Sequence, residues 1–231
     1  MIQANLGLVK QNIERACEKA GRDPRSVRIL AVSKNFSNEA IEEARSCGIS
    51  YFGENRVQEA RVKFQSNVFE GARLALIGHL QTNKASLAAR IFDEIHSVDS
   101  EKLAQALSKF ARQYRDDLLP VYLQVNAGLD PKKHGCMPGQ AGSLARAILA
   151  LDGLRLVGLM TVAPIAGEVE TPGKVFRDLR MLRDKLVSDG IPADNLGELS
   201  MGMSSDYMMA VEEGATVIRL GTALFGPRIY K

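Results

Sequence analysis

Lys34 closes the apolar run Arg28-Ile29-Leu30-Ala31-Val32-Ser33 and is followed at once by Asn35-Phe36-Ser37-Asn38 and a helical pattern. A lysine at the C-terminal end of a buried strand places an amine at the corner where parallel α/β proteins bind ligands. A desolvated amine there is a candidate nucleophile toward a carbonyl. The plain alternative is a counter-ion, or a lysine whose stem is buried while its head reaches water. Two further segments suit an anion. Ser200-Met201-Gly202-Met203-Ser204-Ser205-Asp206 reads as a loop feeding a helix N-terminus. Arg219-Leu220-Gly221-Thr222 ends another apolar run with a glycine, a hydroxyl and the start of a short helix. Backbone N–H groups and hydroxyls at such corners receive phosphate, or they merely cap a helix and turn the chain. Arg219 stands one residue before its run ends, where alternation turns it inward to a ligand heteroatom or a carboxylate.

Other polar residues have simpler readings. His79 reads as a loop histidine, with Gln81 and Asn83 beside it to orient a ligand or cap the next helix. Glu54 reads as the partner of Arg56 or Lys34, and Asp99 and Ser100 as helix caps. The three histidines, His79, His96 and His134, show no metal-ligand spacing, so no zinc motif is expected. Cys17, Cys47 and Cys136 are far apart and odd in number, which suits reduced thiols in a cytoplasm.

The elements that must position these groups alternate strand then helix, eight times. The β-branched apolar runs are 27–33, 50–53, 74–78, 94–98, 121–125, 154–160, 198–200 and 216–220. Segments of helical periodicity separate them, at 38–46, 56–63, 84–89, 101–112, 141–151, 175–188 and 205–212. A first helix over 6–20 offers Leu8, Ile13, Ala16 and Ala20 as a stripe against a barrel floor. Eight βα units in about 200 residues predict a single (β/α)₈ barrel domain over 1–231 with an extra N-terminal helix. A doubly wound open sheet is the structural alternative, but it wants a glycine-rich fingerprint where Ser33-Lys34-Asn35-Phe36 stands. In a barrel the strand ends converge on one mouth, which gathers Lys34, Asn55, His79, Asn126, Met160, Thr161, Ser200, Arg219, Gly221 and Thr222.

Composition narrows the function classes. A hydrophobic fraction of 45% with 25% charged residues is ordinary for a soluble globular chain. No apolar run approaches the roughly 20 residues that span a bilayer, and no secretory signal is visible at Met1-Ile2-Gln3-Ala4-Asn5. The net charge of +3 is small, the basic residues are dispersed and tryptophan is absent, which disfavours nucleic-acid binding and leaves room for a small anion.

With Lys34, Gly53-Glu54-Asn55, His79-Leu80-Gln81-Thr82-Asn83-Lys84 and Leu199-Ser200-Met201-Gly202-Met203-Ser204 assembled, the chain resembles the pyridoxal phosphate homeostasis proteins of the YggS/PROSC type. The resemblance runs from Leu6 to Phe225-Gly226-Pro227-Arg228. It implies a barrel like the N-terminal domain of fold-type III alanine racemases. It implies pyridoxal 5′-phosphate (PLP) held reversibly by Lys34 as a Schiff base, in the service of vitamin B6 and amino-acid balance. It implies Ser200, Gly221 and Thr222 at the phosphate, with Met201 contributing backbone. Arg219 would face the pyridine nitrogen, and Asn55, His79 and Met160 or Thr161 would lie around the cofactor. The family is mostly monomeric and without clear turnover, and apo PLP-dependent enzymes are the recipients it suggests. The alternatives carried forward are a single-domain amino-acid racemase, an aldolase-like barrel that uses Lys34 without PLP, and a phosphate-binding module.

Overall fold

In the computed structural model, which describes residues 1–164 and 171–227, eight parallel strands close on themselves in chain order. They are β1 (Arg28–Val32), β2 (Tyr51–Glu54), β3 (Arg73–Leu76), β4 (Glu94–Val98), β5 (Leu119–Gln124), β6 (Leu154–Met160), β7 (Glu198–Met203) and β8 (Val217–Leu220). Strand β8 pairs back to β1, with Leu30 opposite Arg219 and Ala31 opposite Leu220. Around them run α1 (Ile2–Lys19), α2 (Asn38–Ser46), α3 (Val57–Gln65), α4 (Ala85–Ile91), α5 (Glu101–Tyr114), α6 (Ala141–Leu149), α7 (Pro172–Ser188), α8 (Tyr207–Glu212) and α9 (Thr222–Phe225). This is the expected (β/α)₈ barrel. Arg228 and Tyr230 lie outside the described residues.

Parallel strands covered by helices are buried on both faces, which is why they read as continuous apolar runs. The outward residues Ala31, Phe52, Leu74, Leu199, Ile218 and Leu220 pack into the main core shared with the helices. The alternate residues Leu30, Val32, Ala75 and Val217 form a separate cluster with Tyr51. Tyr122, Val157 and Met160 form a third. The two-residue period thus divides each strand between a helical shell and the barrel interior.

The interior is not wholly apolar. Glu94 and His96 are both buried on β4, two residues apart and so on one face. Glu94 receives the Tyr51 hydroxyl and pairs with Arg73 at 2.6 Å. Glu198 receives the Tyr122 hydroxyl at 2.5 Å and pairs with Arg28. Buried Glu94 and half-buried Glu198 therefore each have a cation and a hydroxyl, which offsets the cost of taking their charge from water.

Helix α2 is capped by Ser37, whose hydroxyl accepts from the Ala40 N–H at 3.4 Å. Two details differ from the sequence expectation. Helix α1 buries Ile2, Leu6, Val9, Ile13, Ala16 and Cys17, while Leu8 is exposed. Its apolar stripe lies one step round from the one expected, and it packs on α8 and α9. Strand β7 continues to Met203 rather than stopping at Ser200. None of the described helices is long and apolar enough to cross a membrane.

Candidate functional site

The C-terminal mouth of the barrel holds a cavity of about 480 Å³. Val32, Lys34, Asn55, Ile77, Val162, Met203, Ser204, Ser205, Arg219, Gly221 and Thr222 line it. Its size suits a small molecule. A second cavity, about 510 Å³, lies at the opposite end between α1 and the strand starts. Barrels of this class do their chemistry at the C-terminal face, so the mouth is the candidate site.

Lys34 reaches the mouth by strand periodicity, two positions beyond Val32 and four beyond Leu30 on the inward face. Its corner is clamped from both sides. Ser33 gives its hydroxyl to Glu54 Oε1 at 2.7 Å, and Lys63 Nζ donates to the Ser33 carbonyl at 2.7 Å and to Glu54 Oε1 at 2.8 Å. Lys63 also bonds Glu59 at 2.9 Å, and Glu59 accepts the Asn35 N–H at 2.7 Å. Asn35 stands at φ 62°, a left-handed position that asparagine tolerates. Phe36 stacks on Phe225 at 4.5 Å, tying this corner to α9. Glu54 therefore partners Lys63 and Ser33, not Arg56 or Lys34 as the sequence suggested. Burial outweighs those partners and leaves the Glu54 carboxyl above its usual range. Lys63→Met would strand the Glu54 carboxylate in the core, at a cost of about 3–5 kcal/mol. Denaturant unfolding measures it, and a loss below about 1 kcal/mol would mean that this clamp does not hold the corner.

Asn55 is fixed by close packing. A Cβ on Gly78 would stand 2.1 Å from the Asn55 carbonyl oxygen, so only glycine lets the β3 corner lie against it.

Arg219 forms the depth of the cavity. Its Nη1 donates to the Ser200 carbonyl at 2.7 Å and to Ser200 Oγ at 2.9 Å, and its Nη2 donates to the Thr161 carbonyl at 2.7 Å. Among the described residues no carboxylate is in salt-bridge contact with it. Burial lowers its pKa to about 10, partly offset by Asp206, so it is a cation at neutral pH. The Glu94 carboxylate only accepts, so His96 carries a proton on Nε2 and donates it to Glu94 Oε1 at 2.8 Å. Burial favours the neutral imidazole, which leaves Nδ1 to accept. The Ser200 hydroxyl, itself accepting from Arg219, therefore donates to His96 Nδ1 at 2.9 Å. A directed chain, Arg219 to Ser200 to His96 to Glu94, thus fixes the guanidinium from beneath.

On the β7–β8 side, Ser204 Oγ accepts the N–H groups of Gly221 at 3.2 Å and Ala223 at 3.1 Å. Thr222 lies between those two residues and Ser205 beside Ser204. Apolar Val32, Ile77 and Val162 complete the lining, with Val32 packed directly beside Gly221. The residue set fits a flat ring carrying an aldehyde and an anion: an amine, a deep cation, a hydroxyl-rich wall and apolar faces.

Of the residues read from sequence, Lys34, Asn55, Arg219, Gly221 and Thr222 line this cavity. Ser200 and Met160 are buried and do not line it. Ser200 supports Arg219, and Met160 packs on Tyr122 and Val157. Met201, one residue out of phase with Ser200, belongs to the outer core. His79 sits at the rim, 38% exposed, against Asp99 and His134. Ser204, Ser205, His96 and Lys63 were not singled out as site residues. The alternation Glu94-Ile95-His96 was the signal for His96.

The chain matches the family model described as alanine racemase, N-terminal domain, over residues 4–228. A pyridoxal phosphate homeostasis protein of Aquifex aeolicus is 38% identical over 226 residues, 97% of this chain and 97% of its own. One from Pseudomonas aeruginosa is 41% identical over 231 residues, 99% of this chain and 96% of its own. The structure of PipY from Synechococcus elongatus PCC7942 with PLP bound superposes at a TM-score of 0.81. It shares 39% identity, covering 93% of this chain and 100% of that one.

Proposed function

Because the chain belongs to the pyridoxal phosphate homeostasis proteins, built on the alanine racemase N-terminal fold, we propose that it binds PLP reversibly and covalently through Lys34, as a carrier without catalytic turnover. The observation that carries the reading is the single cavity shared by Lys34, Arg219, Gly221 and Thr222. Bound PLP supplies an aldehyde that bonds an amine and a ring that can draw electrons from it. Lys34 Nζ provides the amine. Ser204, Ser205, Gly221 and Thr222 receive the phosphate, and Val32, Ile77 and Val162 cover the ring.

Two features argue against turnover. Arg219 would face the ring nitrogen as a cation, and two adjoining positive charges disfavour a proton there. An unprotonated ring is a poor electron sink. Racemisation also needs a base on each face of a substrate carbon. Among the described residues no tyrosine lines the cavity: Tyr51 bonds Glu94, Tyr122 bonds Glu198, Tyr114 lies on α5 and Tyr207 bonds Asn12. Burial among carboxylates holds the Tyr122 phenol far above its ordinary range, so it is no base.

The role that follows is to hold PLP, limit its free aldehyde and hand it to apo PLP-dependent enzymes, in the service of vitamin B6 and amino-acid balance. The proposed role is that of a monomer with neither nucleic acid nor membrane as partner, and its three free cysteines suit the reducing cytoplasm. Deuterium exchange at the α-carbon of amino acids tests the absence of turnover. Exchange should be no faster than with free PLP, while an apo enzyme should acquire cofactor from the loaded protein. Faster exchange that vanishes in Lys34→Ala would establish the racemase reading instead.

A further inference from the structure

Beside the cavity, three consecutive strand-to-helix corners bring together ligand-type side chains. His79 follows β3, Asp99 follows β4 and His134 lies in the loop after β5. One ligand atom from each lies within 4.8 Å of the others. His79 Nδ1 stands 3.8 Å from Asp99 Oδ2, and the two imidazoles stack at 3.8 Å with 9° between their planes. Among the described residues none of these ring nitrogens or carboxylate oxygens enters a hydrogen bond, so their lone pairs are not already committed.

The loop that presents His134 is built firmly. Asn126 Nδ2 donates to the Asp130 carbonyl at 2.8 Å, and Asp130 N–H donates to Asn126 Oδ1 at 3.1 Å. Cys136 exchanges backbone bonds with Gln124 and Asn126 at 2.9 Å each, and Gln124 Nε2 donates to the His134 carbonyl at 3.1 Å. Gly135, at φ +123°, lets the chain pass where a Cβ would stand 2.6 Å from Asn126 N. Lys133, next in sequence, is turned to Asp130 at 3.8 Å. The returning loop therefore sets an exposed imidazole over another one, beside a carboxylate. Exposed apolar packing alone would not call for such a construction.

We propose that His79, Asp99 and His134 bind a divalent transition-metal ion of the zinc class at the rim of the barrel mouth. Two imidazoles and one carboxylate select such a metal over magnesium or calcium, and leave further coordination positions for water or an anion. With the rings stacked, their in-plane lone pairs run side by side. A rotamer change of exposed His134 turns them toward one point at ordinary side-chain cost. Cys136, on the same loop, is buried, and its sulfur is not one of the three clustered ligand atoms. The histidine spacing carried no zinc motif because each ligand comes from a different corner. The site does not include Lys34, and its test does not need PLP.

Cobalt(II) titration of the full-length protein, freed of PLP, with zinc competition, tests it. One equivalent should bind at micromolar concentration with a visible d–d band that zinc removes. His134→Ala and Asp99→Asn should each weaken binding by about tenfold or more with no change in Tm, and Cys136→Ser should not. Absence of saturable binding, or binding untouched by His134→Ala and Asp99→Asn, would overturn the site.

Discussion

Lys34→Ala will lose the covalent pyridoxyl adduct altogether, and its affinity for PLP will fall by about 100-fold or more, on the order of 2.7 kcal/mol. The residue closes β1 on its inward face and lines the mouth, half-buried, with the corner beneath it held by Ser33, Glu54 and Lys63. Removing the side chain leaves that clamp in place, so stability should change by no more than about 1 kcal/mol. Absorbance titration with PLP, mass measurement after borohydride and a thermal scan read these three quantities on one sample. Persistence of a covalent adduct in the variant would move the attachment to another lysine. A large loss of Tm would make Lys34 a structural counter-ion first.

Arg219→Glu carries the second large effect, because the guanidinium serves the interior and the cavity together. Its three hydrogen bonds satisfy the Ser200 and Thr161 carbonyls and the Ser200 hydroxyl. A carboxylate in its place faces these acceptors and buries an unpaired charge. It also takes the guanidinium donor from the Thr161 carbonyl, a loss of about 1–3 kcal/mol by itself, while the Ser200 carbonyl keeps the Thr161 N–H. Destabilisation of at least about 3 kcal/mol is expected, and at about 2–4 °C per kcal/mol the Tm should fall by roughly 6 °C or more. In the fraction that folds, the cation opposing a proton on the ring nitrogen is gone, so the absorbance of bound PLP should shift. Arg219→Gln, which keeps a donor but no charge, should lose less stability and also relieve the opposition to that proton. Bound PLP with an unchanged spectrum in both variants would remove the arginine from the ring nitrogen.

Much of the fold was legible because each element carried its own signal. A buried parallel strand reads as an apolar run, and eight such runs alternating with helical periodicity leave few architectures. Lys34 and Arg219 were legible for a related reason, since a charge that ends or interrupts such a run must face a site or a partner. The supports were not. Lys63 sits in a helix where a lysine ordinarily reads as solvated surface, yet it is buried and binds Ser33, Glu54 and Glu59. His96 and Ser200 find each other across the barrel from β4 and β7, a pairing no local pattern encodes. Met201, expected to offer backbone, has its side chain in the outer core, because β7 runs through Met201-Gly202-Met203 where the sequence reads as loop. Ser204 looked like a helix cap, and it does accept N–H groups, but those of the following βα corner. In α1, Leu6 and Val9 rather than Leu8 face the core, since only the partners α8 and α9 decide which stripe is covered.

The most direct measurement is an absorbance spectrum of the purified wild-type protein mixed with PLP, before and after borohydride, with peptide mapping of the product. The account predicts a visible band that bleaches on reduction and leaves one pyridoxyl group, on Lys34. No adduct, or an adduct spread over surface lysines such as Lys10 and Lys109, would contradict it.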